Sequence, residues 1–246
     1  MSEFLVMRLT AALSAMGDVA GHSHRGSHRW PGKSAVLGMV GAALGVDRDD
    51  TAGQSSLATE YGVAVLVRNA GTLLMDFHTS QTVPSAAARN PMSRKEALER
   101  ATASGKLNTT ITYREYREDV TMDIAIDAKE NAHWSLSEIA DSLRNPHYVL
   151  YFGRKACPLT DPLAPRILSS NDPISAMRSY NADPATPSLA HQQHAEQFAI
   201  CEAGSLAKLP NGATRQTRWD APGDRQRWQF ANRAVVVVPL HVRDSA

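Results

Sequence analysis

Between Val19 and Val46 the chain carries no acidic residue, while Arg25, Arg29 and Lys33 are interleaved with His22, His24 and His28. Cations and imidazoles gathered in one short stretch suit the binding of a polyanion. The run that follows, Trp30 to Asp50, is mostly apolar, with Gly38, Gly41 and Gly45 at spacings of three and four. That pattern predicts a helix capped by Ser34, with a small-residue stripe for close packing against a sheet. The free N–H groups and dipole of such a helix start favour phosphate. Gly32-Lys33-Ser34 mimics the end of a Walker motif, but Ser27 stands where G-x-x-x-x-G-K-S needs glycine, and Gly26 is one place early. The histidines have no Cys, Asp or Glu nearby to complete a metal site, so neither metal nor cofactor is expected.

Three further stretches could touch a polyanion. From Ser85 to Arg117 there are seven Lys or Arg (Arg89, Arg94, Lys95, Arg100, Lys106, Arg114, Arg117) against three Glu, a net +4. The flanks of this stretch, Asp76-Phe77-His78-Thr79 and Asn108 to Tyr116, alternate like strands, and Ser93 to Ala103 reads either as a short helix in a solvated loop or as part of a projecting insertion. From Asn145 to Leu163 a strand ending at Gly153 is followed at once by Arg154 and Lys155, where a missing side chain permits close approach of a ligand. From Arg215 to Arg233, arginines interleave with Trp219, Trp228 and Phe230, a mixture that suits phosphate contacts and base stacking. Metal-independent RNA cleavage would need a general base and a general acid, roles open to His22, His24, His28, His78, Tyr116 and Lys155. No spacing pairs them, and no G-x-S-x-G elbow appears.

The chain that must position these residues has 246 amino acids, 43% of them hydrophobic, with a formal net charge of +1. That is enough for one large domain or two small ones, and the neutral total hides the local asymmetry. Cys157 and Cys201 lie far apart, which predicts reduced thiols in a cytoplasmic protein. The longest uncharged apolar run, Ala35 to Val46, is too short to span a bilayer, so no membrane partner is expected. Phe4–Leu9, the Ser34 helix, Tyr61–Arg68, Thr72–Phe77, the capping-box helix Ser135–Arg144 and Val149–Phe152 give a β-α-β-β-α-β order, with a loop over Thr10–Gly32. This is an α+β, ferredoxin-like (RRM-like) order used by RNA-recognition modules. Beyond Pro158 prolines become frequent. An Asp172-capped helix through Tyr180 and strands near Gln197–Cys201 and Ala234–Leu240 describe a loop-rich C-terminal β part. The division is residues 1–160 for the core and 161–246 for the region packed on it.

Gly153-Arg154-Lys155-Ala156-Cys157-Pro158-Leu159-Thr160-Asp161-Pro162-Leu163 resembles the G-R-[RK]-x-C-P-L-T-x-P-L signature of the CasD family. Pro31-Gly32-Lys33-Ser34 through Gly45, closing with Arg48-Asp49-Asp50, is similar to the same family's helix, as is Tyr113-Arg114-Glu115-Tyr116. These blocks fall in order and cover Met1 to about Asn181. The resemblance implies a RAMP-superfamily core with a thumb-like β-hairpin insertion at about residues 78–117. It implies a non-catalytic subunit of a type I-E CRISPR Cascade that caps the 5′ handle of the crRNA, beside a CasC-type backbone subunit and a CasA-type large subunit. Arg25, Arg29, Lys33, Ser34, His78, Arg94, Lys95, Arg114, Tyr116, Arg154 and Lys155 would then line the handle. The alternative is a metal-independent endoribonuclease that processes CRISPR repeats, as in the type I-C branch. In the first loop, where the family usually has Gln-x-Trp-Gly, this chain has Ser14-Ala15-Met16-Gly17.

Overall fold

The computed structural model describes residues 1–21, 23–84, 90–186, 197–206, 208–223 and 229–240. The chain opens with β1 (Ser2–Ser14), β2 (Gly17–Ala20), β3 (His24–Ser27), α1 (Lys33–Leu44) and α2 (Thr51–Glu60). There follow β4 (Tyr61–Asn69), β5 (Thr72–Thr82), α3 (Arg94–Ala103), β6 (Asn108–Ala128) and α4 (Leu136–Arg144). It closes with β7 (Arg166–Ser170), α5 (Pro173–Ala182), β8 (Phe198–Glu202), β9 (Thr214–Pro222) and β10 (Phe230–Pro239). No helix among these residues is long and apolar enough to cross a membrane.

The 21-residue β6 organises the sheet. Its inner half, Val120 to Ile126, is buried because β1 and β4 pair with it on either side, in register Leu5↔Ile126 and Val63↔Ile126. The sheet runs β7-β1-β6-β4-β8-β10-β9, every one of these neighbours antiparallel. Residues after 160 thus supply both edges of the same sheet. The two faces of the pleat bury different cores. Leu5, Met7, Ile124 and Val65 meet Val36, Leu37, Leu57 and Ile139 of α1, α2 and α4 on one side. Val6, Leu66 and Ala125 meet Ile174, Met177 and Tyr180 of α5 on the other. Under α5 the buried Asp123 carboxylate takes Arg8 Nε at 2.8 Å and Arg68 Nε at 2.6 Å, tying β1, β4 and β6 together.

Beyond this body β6 continues, and its outer half pairs with β5 from Thr72↔Glu118 to Thr82↔Asn108. The ribbon leaves Leu73, Met75, Phe77, Ile111 and Tyr113 exposed. The stretch between Ser93 and Ala103 is the helix α3, capped by the Ser93 hydroxyl. On the other side of β6, β3 pairs with it in parallel through His24↔Tyr113 and Arg25↔Arg114.

Several expectations are corrected. The first strand runs to Ser14, and the expected loop Thr10–Gly32 contains β2 and β3. Val149–Phe152 is not a strand: only Tyr151 makes a bridge, to Pro158, and β7 takes the place beside β1. Helix α1 is capped at Gly32 and not by Ser34, which lies inside its first turn. Its glycines do not line the sheet. Gly41 admits Leu57 of α2, and Gly45 ends the helix at φ 78° against His147.

Candidate nucleic-acid interface

The turn after Phe152 is built on a close approach. Gly153 has φ +93°, and a Cβ there would overlap the carbonyl oxygen of Ala15, whose own N–H donates to the Phe152 carbonyl at 3.1 Å. Glycine is the residue that tolerates both conditions. In the first loop Met16 is buried, its N–H donating to Ser27 Oγ at 3.0 Å and its carbonyl accepting from His28 N–H at 2.8 Å.

From that turn Arg154 reaches the root of the β5–β6 ribbon. Its guanidinium carbon lies 4.5 Å from the centroid of the Tyr116 ring, Nη1 donates to the Glu115 carbonyl at 3.1 Å and Nη2 to the Arg25 carbonyl at 3.5 Å. Glu115 fastens β3 at the same place. Its carboxylate accepts the Ser27 backbone N–H at 2.9 Å and lies 3.0 Å from His24 Nε2. Arg114, opposite Arg25, has a buried Nε without a hydrogen-bond partner among the described residues. Four of the expected residues, Arg25, Arg114, Tyr116 and Arg154, are therefore gathered in one patch, with exposed Lys155 beside them.

A further cation, counted in the basic stretch but not among the residues expected to line the handle, bears on this patch. Arg117 donates from Nε to the His28 carbonyl at 2.7 Å and from Nη1 to the Gly71 carbonyl at 3.2 Å, bridging the loop after β3 to the kink between β4 and β5. Burial and the neighbouring Arg29 guanidinium push the Arg117 pKa below its ordinary value. Arg29 itself lies over the Phe198 ring, 4.8 Å from its centroid. The sequence signal was present in the Arg114–Arg117 spacing, but the carbonyls it meets come from distant segments.

The start of α1 is differently disposed. Lys33 Nζ pairs with Glu202 at 2.8 Å, and its backbone N–H donates to Asp220 Oδ2 at 3.0 Å. Asp220 also accepts Arg233 Nε at 2.7 Å. An internal carboxylate thus fills the place at the helix start where a phosphate was expected, and Lys33 is spent on Glu202. Partners 169 and 187 residues downstream could not be read from the local sequence. Ser34 lines a groove of about 220 Å³ with Pro31, Gly38, Val149 and Gly153, so the helix start and the Phe152 turn do face each other.

His78, Arg94 and Lys95 sit farther along the ribbon. His78 pairs with Thr112 in register and its Nδ1 lies 3.8 Å from Asp76. Arg94 donates to the Gln81 carbonyl at 3.1 Å and Lys95 is 3.9 Å from Glu99, both on α3. Gln81 lies opposite Thr109, five residues before Arg114, a separation of roughly 17 Å along a strand. His22, Arg89, Arg225, Arg227 and Trp228 lie outside the described residues.

The family model described as "CRISPR-associated protein (Cas_Cas5)" matches residues 4–236. The Escherichia coli (strain K12) protein "CRISPR system Cascade subunit CasD" is 30% identical over 180 residues, covering 73% of this chain and 78% of that one. A solved chain of a "CRISPR RNA-guided surveillance complex" is 25% identical with a TM-score of 0.63, covering 96% of this chain and 89% of that one. A further chain, titled "Crystal structure of Cas protein", has a TM-score of 0.57 at 22% identity, covering 96% and 95%, and shows the fold alone. A sheet built on one long strand, a turn signature placed against that strand's root and a family match over nearly the whole length agree: the chain belongs to the Cas5 family of CRISPR-associated proteins.

Proposed function

We propose that this chain is the Cascade subunit that holds the 5′ handle of a crRNA, and that it does so without catalysis. The observation that carries the reading is the meeting of Arg154 with Tyr116, Glu115 and Arg25. One side chain joins the signature turn, the ribbon root and the basic strand β3. Cations there would grip phosphates, while aromatics and the adjoining groove suit bases splayed from a single strand. Arg25, Arg114, Tyr116, Arg154 and Lys155 form the centre of this site, with Arg29 and Arg117 behind them and Lys33 left out. The β7-β1-β6-β4 order, with α1 and α4 on one face, supports a ferredoxin-like core. In this reading the β5–β6 ribbon with α3 is the thumb. His78, Arg94 and Lys95 lie along it toward a CasC-type backbone subunit, and a CasA-type large subunit completes the neighbourhood. His24 is engaged with Glu115 and Tyr116 is covered by Arg154, which favours binding roles for both. Expressing a tagged chain with its genomic neighbours tests the proposal: guide RNA and a large assembly should co-purify. The pure chain should leave repeat RNA intact in chelator, and specific cleavage there would contradict it.

A further inference from the structure

Strand β9 is turned inside out. Charges ordinarily face water and tryptophan packs inward, yet Arg218 and Asp220 are buried while Trp219 between them is 68% exposed. The inward pair has its partners. Asp220 holds Arg233 and the Lys33 backbone N–H, and the Arg218 guanidinium carbon lies 5.1 Å from the Trp30 ring centroid. Strand alternation then places Arg215, Thr217 and Trp219 together on the opposite face. The register with β10 shifts between Ala231 and Arg233, opposite Trp219, and such a bulge re-aims a side chain.

Asp220 is the only acid in β9 and it points inward, so the strand offers no carboxylate on the outward face. Arg215 is exposed on that outward face, while Arg218 and Arg233 are turned to the inward side with Asp220. An open indole on the same strand face as a cation four residues away, with no acid of the strand on that face, fits a stacked base and a nearby phosphate of the same strand. We infer that the outward face of β9 is a second contact for single-stranded nucleic acid, with Trp219 as the stacking platform and Arg215 as the phosphate contact. It lies on the sheet face turned away from Trp30 and the start of α1, and it does not depend on the handle assignment.

The full-length chain is titrated with labelled oligo(rU) and oligo(dT) of about 12 nucleotides, within the usual footprint of one such site and lacking any handle. Trp219→Ala should weaken the better-bound oligonucleotide between about five- and a hundred-fold. Trp219→Tyr should recover most of that loss, and neither variant should shift the melting temperature or the affinity for handle RNA. A preference for oligo(rU) assigns the surface to RNA and a preference for oligo(dT) to DNA. Wild-type binding of both oligonucleotides by Trp219→Ala overturns the inference, as does a loss that Trp219→Tyr fails to recover.

Discussion

The guanidinium carbon of Arg154 sits 4.5 Å from the centre of the Tyr116 ring, although the two residues lie on a turn and a strand 38 positions apart. Stacked there, Arg154 keeps its planar fork while donating to two carbonyls on neighbouring strands. Lysine can reproduce neither the stacking nor the fork.

Arg154→Lys should therefore weaken binding of handle RNA although charge is retained, and Tyr116→Ala should do the same. Removing both charges with Arg154→Ala and Lys155→Ala should lower the slope of log affinity against log salt by about 1.4, two phosphates' worth for a single strand. Filter binding across a salt series reads this directly. An unchanged slope would show that neither side chain meets a phosphate.

Gly153 should be intolerant of substitution. Gly153→Ala adds left-handed strain of about 1–2 kcal/mol to an overlap with the Ala15 carbonyl oxygen, at φ +93°. Gly105 provides the control: its φ is +65°, but nothing lies within 4 Å of an added Cβ. Thermal unfolding should place Gly153→Ala clearly below Gly105→Ala. Equal losses would mean the approach to β1 is slack.

Asp220 should give the fold an acid-sensitive contribution. Burial acts to raise its pKa, but the hydrogen bond and charge of Arg233, the Lys33 N–H and the Arg218 charge outweigh it and hold the carboxyl below its ordinary value. A carboxylate depressed by folding stabilises the protein above its unfolded pKa, about 3.9, and loses that contribution as pH falls through the folded value. Asp220→Asn should cost about 3–5 kcal/mol at pH 7, as for breaking a buried pair, and should flatten the decline below about pH 4. Urea unfolding from pH 3 to 7 measures both effects.

Asp123→Asn should be similarly costly, because it removes the carboxylate charge that Arg8 and Arg68, both buried beside it, share. The expected loss is about 3–5 kcal/mol in chemical denaturation, without a specific effect on handle affinity once folded. A near-neutral outcome would show that α5-side residues such as Asn181, which accepts from Arg8 Nη2 at 2.9 Å, compensate.

What could be read from sequence was what is decided locally. The caps at Ser135 and Asp172 are where their side chains predict, because each bonds a backbone N–H three residues on. The strands around Tyr61–Arg68 and Asn108–Tyr116 follow from apolar runs and alternation. Val149–Phe152 misled because an apolar run between Pro146 and Pro158 lines a groove instead of a ladder. β3 was invisible in a Gly, Ser and His stretch, since Glu115, 88 residues away from Ser27, holds it. At the candidate site the signature turn and the Tyr113–Tyr116 block were legible as residue types, and their meeting through Arg154 was not. Lys33 looked free because Glu202 and Asp220 come from the far end of the chain.

The most direct test compares the affinity for 5′-handle RNA of two charge-matched double variants: Arg154→Glu with Lys155→Glu, and Arg48→Glu with Lys129→Glu at exposed positions outside the patch. The first should lose binding by at least tenfold while the second stays within about twofold of wild type, since two repulsive charges act strongly only where phosphates sit. Equal affinities for the two, whether both retained or both lost, would contradict an RNA handle seated at the Arg154–Tyr116 contact.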